Sequence, residues 1–186
     1  MALAGVGEAN LRSSLLDILQ GRSTWLLINL FTAILASAVI GVFDATIEQL
    51  VALAVLMPIV ASMGGNAATQ TVTVAVRAIA LRQLDSLSTR IFILREALVA
   101  LLNGILFAVL AAIMAYVWFS NLEIAAVMAV AMLANLFVAG LSGTLVPIGL
   151  LRAGVDPAVA SSVFVTTITD VVGFFVFLGL AALYLM

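Results

Sequence analysis

Cysteine, histidine and lysine are all missing from the 186 residues of this chain. Without cysteine there is no disulfide. Without cysteine or histidine there is no conventional zinc site and no thiolate or imidazole catalysis. Any metal the chain handles must therefore be met by oxygen, from carboxylate, hydroxyl, amide or backbone carbonyl, which suits hard ions such as magnesium, calcium or manganese. Charge is scarce as well: 9% of residues are charged, against about a quarter in a soluble domain. What is abundant is apolar sequence, 66% of the chain, in runs that exceed the roughly 20 residues a bilayer-crossing helix needs. The sequence reads as an all-α, multi-pass membrane protein embedded in lipid, with no part suited to nucleic acid.

Five apolar segments are predicted as spans, at about 25–43, 50–80, 91–119, 122–150 and 158–186. Arg12 and Arg22 precede the first, Arg77, Arg82, Arg90 and Arg95 lie at the connection of the second and third, and Arg152 joins the fourth and fifth. The remaining connections hold Asp44, Glu48 and Glu123 and no basic residue. With five spans every arginine falls on one side, so the positive-inside rule places the N-terminus in the cytoplasm and the C-terminus outside. Trp25, Tyr116 and Trp118 sit at span ends, as interfacial aromatics do. The first residues, MALAGVGEANLRSSLLDILQGRS, lack the basic start and apolar core of a signal peptide. Leu11, Leu15, Ile18 and Leu19 have helical spacing, which predicts a cytoplasmic amphipathic segment over 1–22 ahead of a transmembrane domain over 23–186.

Asp170 is the only charge after Asp156 and falls near the middle of the fifth span. A bare carboxylate at the bilayer centre costs about 2.5–3.5 kcal/mol on insertion scales. No lysine or arginine lies at matching depth, which leaves protonation, a hydrated cavity or a bound cation. Ser162, Thr166, Thr169, Asp170 and Gly173 follow helical spacing and predict one polar face, opposite Val165, Ile168, Val172 and Phe175. Such a face can line a wet path; the structural alternative is helix packing through small residues and side-chain hydrogen bonds.

The second span carries MPIVASMGGNAATQ over 57–70. Pro58 removes an amide donor, and the pair Gly64-Gly65 permits unusual dihedrals and close approach, so a broken or kinked helix is predicted, with the carbonyls of 61–65 freed as oxygen ligands. A proline kink packed through the glycines is the alternative. Asn66, Gln70, Thr73 and Arg77 form a second polar face. Asn29, Ser37, Asn103, Asn135, Ser142 and Thr144 read as isolated interhelical hydrogen-bonding groups, and Arg95-Glu96 as a cytoplasmic helix start. Asp156-Pro157 reads as an N-cap followed by proline at the first helical position.

PIVASMGGNAATQ, followed at a distance by TITDVVGFFVFLGLA, resembles the transmembrane domain of the MgtE family of magnesium channels and transporters. The likeness runs in order through residues 22–186 and includes NLFVAGLSGTLVPIGLLRAGVDPAVASSVF. It implies a homodimer with an ion path along its axis between the second and fifth helices. Asp170 would hold hydrated Mg2+, with the Thr166 backbone carbonyl as companion and Asn66 beside the pore. Gly64, Gly65, Gln70, Thr73, Ser162, Thr169 and Gly173 would line it; Mn2+, Co2+ and Ca2+ are the expected competing ions. The family's acidic cytoplasmic helical domain and CBS domains have no counterpart in these residues, so a separate cytoplasmic regulatory partner is one expectation. A bacterial plasma membrane is the expected location. The rivals are a proton- or sodium-coupled exchanger, in which Asp170 takes up the coupling ion, and a non-conducting assembly subunit. An intramembrane enzyme is disfavoured, with a single acid at depth and neither histidine nor lysine.

Overall fold

A computed structural model describes residues 14–83 and 86–186, and every regular element among them is an α-helix: α1 (Leu15–Val42), α2 (Asp44–Gln49), α3 (Val51–Ala80), α4 (Ser86–Phe119), α5 (Leu122–Arg152) and α6 (Pro157–Tyr184). All but α2 are long and apolar enough to cross a membrane. The five expected spans are therefore present, and the chain is a multi-pass membrane protein.

The ends of these helices follow from local chemistry. Asn121 caps α5 by accepting from the amides of Glu123 and Ile124, at 2.8 and 3.0 Å. Asp156 caps α6 by accepting from Ala158 N at 2.9 Å, with Pro157 supplying the first residue, as the sequence suggested. Between α5 and α6 the chain turns through Gly154, whose φ of +74° is strained for any residue with a Cβ. Residues 15–22, expected in a separate amphipathic segment, run straight into α1; Leu11 and Arg12 lie outside the described residues.

α5 is the centre of the protomer. More than half of its most apolar stretch is buried, against 6% for α1. It packs on α3, α4 and α6 through small residues. A Cβ on Gly140 would collide with Ala100 of α4, and one on Gly143 would fall 2.9 Å from the Ala68 carbonyl of α3. The core above this level holds Leu53, Leu56, Met128, Met132, Phe177 and Leu178, each almost wholly buried. α1 touches little besides α6, and just past its end Phe43 makes an edge-on contact with Phe175 of α6 at 5.9 Å. Leu26, Leu27, Leu30 and Phe31 of α1 stay exposed on the protomer, a surface suited to lipid or another apolar partner.

One expectation is corrected. α3 does not break: its helix runs unbroken from Val51 to Ala80 with Pro58 inside it, and neither Gly64 nor Gly65 has a positive φ. Proline removes only one bond of the ladder. Leu56 and Val60, both fully buried, pin the helix on either side of it. The glycines are used for close packing rather than for a turn.

Candidate functional site

The polar face expected on α6 divides in two. At 100° per residue, Ser162, Thr166, Thr169, Asp170 and Gly173 cover an arc of about 100°, wide enough for its edges to face different neighbours. Thr169 and Gly173 are buried inside the protomer, whereas Ser162, Thr166 and Asp170 stay partly exposed at its margin. Among the described residues no side chain hydrogen-bonds or ion-pairs with Asp170, and no three acidic side chains gather to form a metal cluster.

The threonines beside Asp170 have their donors committed. Thr166 Oγ1 donates to the carbonyls of Ser162 and Val163 at 2.9 and 3.1 Å, and Thr167 Oγ1 donates to Val163 O at 2.6 Å. Thr169 Oγ1 donates to the Thr166 carbonyl at 2.9 Å, so the carbonyl expected as an ion ligand already accepts one hydrogen bond. In mid-helix that carbonyl also accepts the amide of Asp170 four residues on, so both of its lone pairs are engaged. Each hydroxyl keeps lone pairs for the protons of water.

α3 presents its own polar residues next to this margin. Gly65 approaches α6 so closely that a Cβ there would meet Thr166 Cγ2 at 3.8 Å. From that contact the exposed face of α3 continues through Ser62, Asn66, Thr69, Gln70 and Thr73. Asn66 Nδ2 donates to Ser62 Oγ at 3.4 Å, leaving its carbonyl oxygen outward, while Thr69 and Thr73 bond back to the carbonyls of Gly65 and Thr69. An exposed run of amides and hydroxyls along a bilayer-crossing helix is costly against hydrocarbon, so it calls for water or another polar surface.

Gly64 and Gly173, expected on the open face, instead meet inside the protomer on Asn135 of α5. A Cβ at Gly64 would lie 2.9 Å from Asn135 Cγ, and one at Gly173 2.7 Å from Asn135 Nδ2. Asn135 is fully buried and donates to the Val60 carbonyl of α3 at 2.9 Å, the interhelical role read for it from sequence. Its Oδ1 has no partner. This junction fixes α6 against α3 and thereby sets where Asp170 stands. Its pairing with two glycines remote in the chain carried no signal in the sequence.

Glu96 was also misplaced by the sequence reading. α4 begins at Ser86, ten residues before it, so Glu96 lies inside the helix rather than at its start. With Gln70, Thr71 and Asn103 it lines a cavity of about 190 Å³ between α3, α4 and α5. Gln70 therefore opens onto this cavity on the α4 side of α3.

A family model described as "Divalent cation transporter" matches residues 57–180. The chain is 32% identical to the magnesium transporter MgtE of Bacillus subtilis over 164 residues, 88% of this chain and 36% of that protein. It is 35% identical to that of Thermus thermophilus over 164 residues, with the same coverage, and 31% identical to that of Enterococcus faecalis over 183 residues, 98% of this chain and 40% of that protein. The chain thus spans well under half the length of these relatives, and the family match contains most of α3 and of α6, Asp170 included. On the strength of a family model covering two thirds of its residues, the chain belongs to the MgtE family of divalent cation transporters.

Proposed function

We propose that this chain forms the membrane-crossing path of a magnesium transporter in the plasma membrane, acting as a homodimer with its arginine-rich end in the cytoplasm. The observation that carries the reading is Asp170: a partly exposed, unpartnered carboxylate in the middle of a span, beside the exposed polar face of α3. Two such protomers related by a two-fold axis bring two carboxylates to one path, and their charge balances one divalent ion. Magnesium dehydrates reluctantly, so it passes with much of its water in place. Asp170 attracts the hydrated ion, and the free lone pairs of the Thr166 hydroxyl accept from its waters. Asn66, Thr69 and Thr73 supply further oxygens along α3. Mn2+, Co2+ and Ca2+ compete according to how readily each fits this set with its water attached.

The test is Mg2+ uptake by the purified chain in liposomes. Wild type conducts down the magnesium gradient alone, and Asp170→Asn lowers uptake by about tenfold or more, equivalent to losing ~1.4 kcal/mol or more of interaction with the ion. Unchanged uptake and selectivity in Asp170→Asn would remove Asp170 from the path. A coupled exchanger remains the second reading because an unpartnered membrane acid also suits proton or sodium uptake. Uptake that stops when the proton or sodium gradient is collapsed decides for it.

A further inference from the structure

The flank of α3 turned towards α4 holds a second set of polar groups. α3 and α4 follow one another in the chain yet barely touch, because both lean on α5. The gap between them is the cavity of about 190 Å³, floored by Leu136 and Gly140, with Gln70, Thr71, Glu96 and Asn103 set among the apolar wall residues Ala67, Val74, Val99 and Ala100. It has room for several waters, since one needs only about 10–15 Å³ of such space.

None of these four polar side chains has a hydrogen-bond or ion-pair partner among the described residues. Thr71 makes the contrast plain. The other threonines of α3 and α6 (Thr69, Thr73, Thr166, Thr167 and Thr169) all donate to their own helix backbone. Glu96 is half-buried in α4, roughly 14 Å along the span from Leu87 at 1.5 Å per residue. Arg77 and Arg95 line a different cavity, of about 600 Å³, nearer the arginine-rich end. A carboxylate, two amide oxygens and a hydroxyl around a wet space are a hard-oxygen set.

We infer that Gln70, Thr71, Glu96 and Asn103 form a second cation subsite, which takes a divalent ion with most of its water attached. The inference rests on the reading that this chain passes divalent cations, and places a station for them on the arginine-rich side of the Asp170 level. Gln70 borders both the exposed face of α3 and this cavity, so its amide links the Asn66 side of α3 to the space that Glu96 lines. One carboxylate with neutral oxygens holds a hydrated ion loosely, as a transit site must.

The experiment is Mn2+ binding to the purified full chain, read by electron paramagnetic resonance with Mg2+ as competitor, on wild type, Asp170→Asn, Glu96→Gln and the double variant. The Asp170→Asn chain is expected to keep a Mg2+-displaceable Mn2+ site that the double variant lacks. In liposomes, Glu96→Gln is expected to raise the Mg2+ concentration for half-maximal uptake several-fold, with a smaller change in maximal rate. Gln70→Ala, which leaves the charge in place, is expected to weaken the same site, and size-exclusion profiles show whether each variant is folded. Equal Mn2+ binding by Asp170→Asn and the double variant overturns the subsite. If Glu96→Gln removes Mn2+ binding while Asp170→Asn leaves uptake intact, the Asp170 path fails and the subsite stands. If Asp170→Asn abolishes uptake while Glu96→Gln alters neither binding nor uptake, the subsite fails alone.

Discussion

α3 meets α6 and α4 in opposite ways. Towards α6 it is closed: Gly65 lies against Thr166, and one residue earlier Gly64 and Gly173 grip the Asn135 amide so closely that no side chain fits between. Towards α4 it is open, with a cavity whose four polar side chains reach no partner among the described residues. The difference lies in where the small residues fall. Glycines on α3 and α6 let the backbones approach, whereas on the α4 side the small residues Gly140 and Gly143 belong to α5 and draw α4 and α3 onto α5 instead of onto each other. Polar groups at membrane depth can thus be absorbed by tight packing or left to water, and this protein does both within one helix.

The comparison breaks most readily at function. Asp170→Asn is expected to cut Mg2+ uptake by about tenfold or more, and Glu96→Gln to shift the half-saturating concentration with a milder effect on rate, both read in liposomes. Equal effects from the two substitutions would erase the distinction between the flanks.

Gly64→Ala tests the closed flank next. Its methyl would fall 2.9 Å from Asn135 Cγ, so it is expected to destabilise the folded chain by about 1–3 kcal/mol through overpacking. Gly65→Ala, one residue on, would make only an ordinary contact at 3.8 Å and is expected to be neutral or to gain about 0.5–1 kcal/mol of helix preference. Thermal unfolding in detergent checks both, and a loss of stability in Gly65→Ala as large as that in Gly64→Ala would contradict the packing described.

Combining Gly64→Ala with Asn135→Ala removes the amide that the new methyl strikes. The double variant is expected to be more stable than additivity predicts, by about 0.5–3 kcal/mol, the range for residues in contact. Simple additivity would show that Asn135 does not gate the approach of α3.

The smallest effect compares two hydroxyls. Thr169→Val deletes a buried hydroxyl bonded to the Thr166 carbonyl and is expected to cost about 0.5–1.5 kcal/mol. Thr71→Val, with no such bond to lose, is expected to leave thermal stability nearly unchanged, although it faces the cavity.

Much of this architecture was legible beforehand. Apolar run lengths gave the five spans, and Asp156-Pro157 marked the start of α6 because a cap and a fixed φ act within a few residues. Asp170 stood out because a lone charge in a long apolar run violates the cost of burial in lipid. Pro58 and Gly64-Gly65 misled, since their local preference for a break is outweighed by packing of Leu56, Val60 and Gly64 against the rest of the protomer. Glu96 misled for a different reason. With Arg95 it read as a helix start, but α4 begins ten residues earlier and is longer than the bilayer is thick.

By itself, the sequence determined the class of protein, the number of crossings, the hard-oxygen chemistry open to it and the prominence of Asp170. These depend on composition and on periodicity along one helix, which no folding partner can alter. Only the tertiary structure decided that Gly173 and Gly64 turn inward on Asn135, that Thr169 is buried, and that Gln70 and Glu96 line a common cavity. Those pairings join residues far apart in the chain, and they are set by which helix surfaces are small enough to approach. A face read from one helix leaves that choice open.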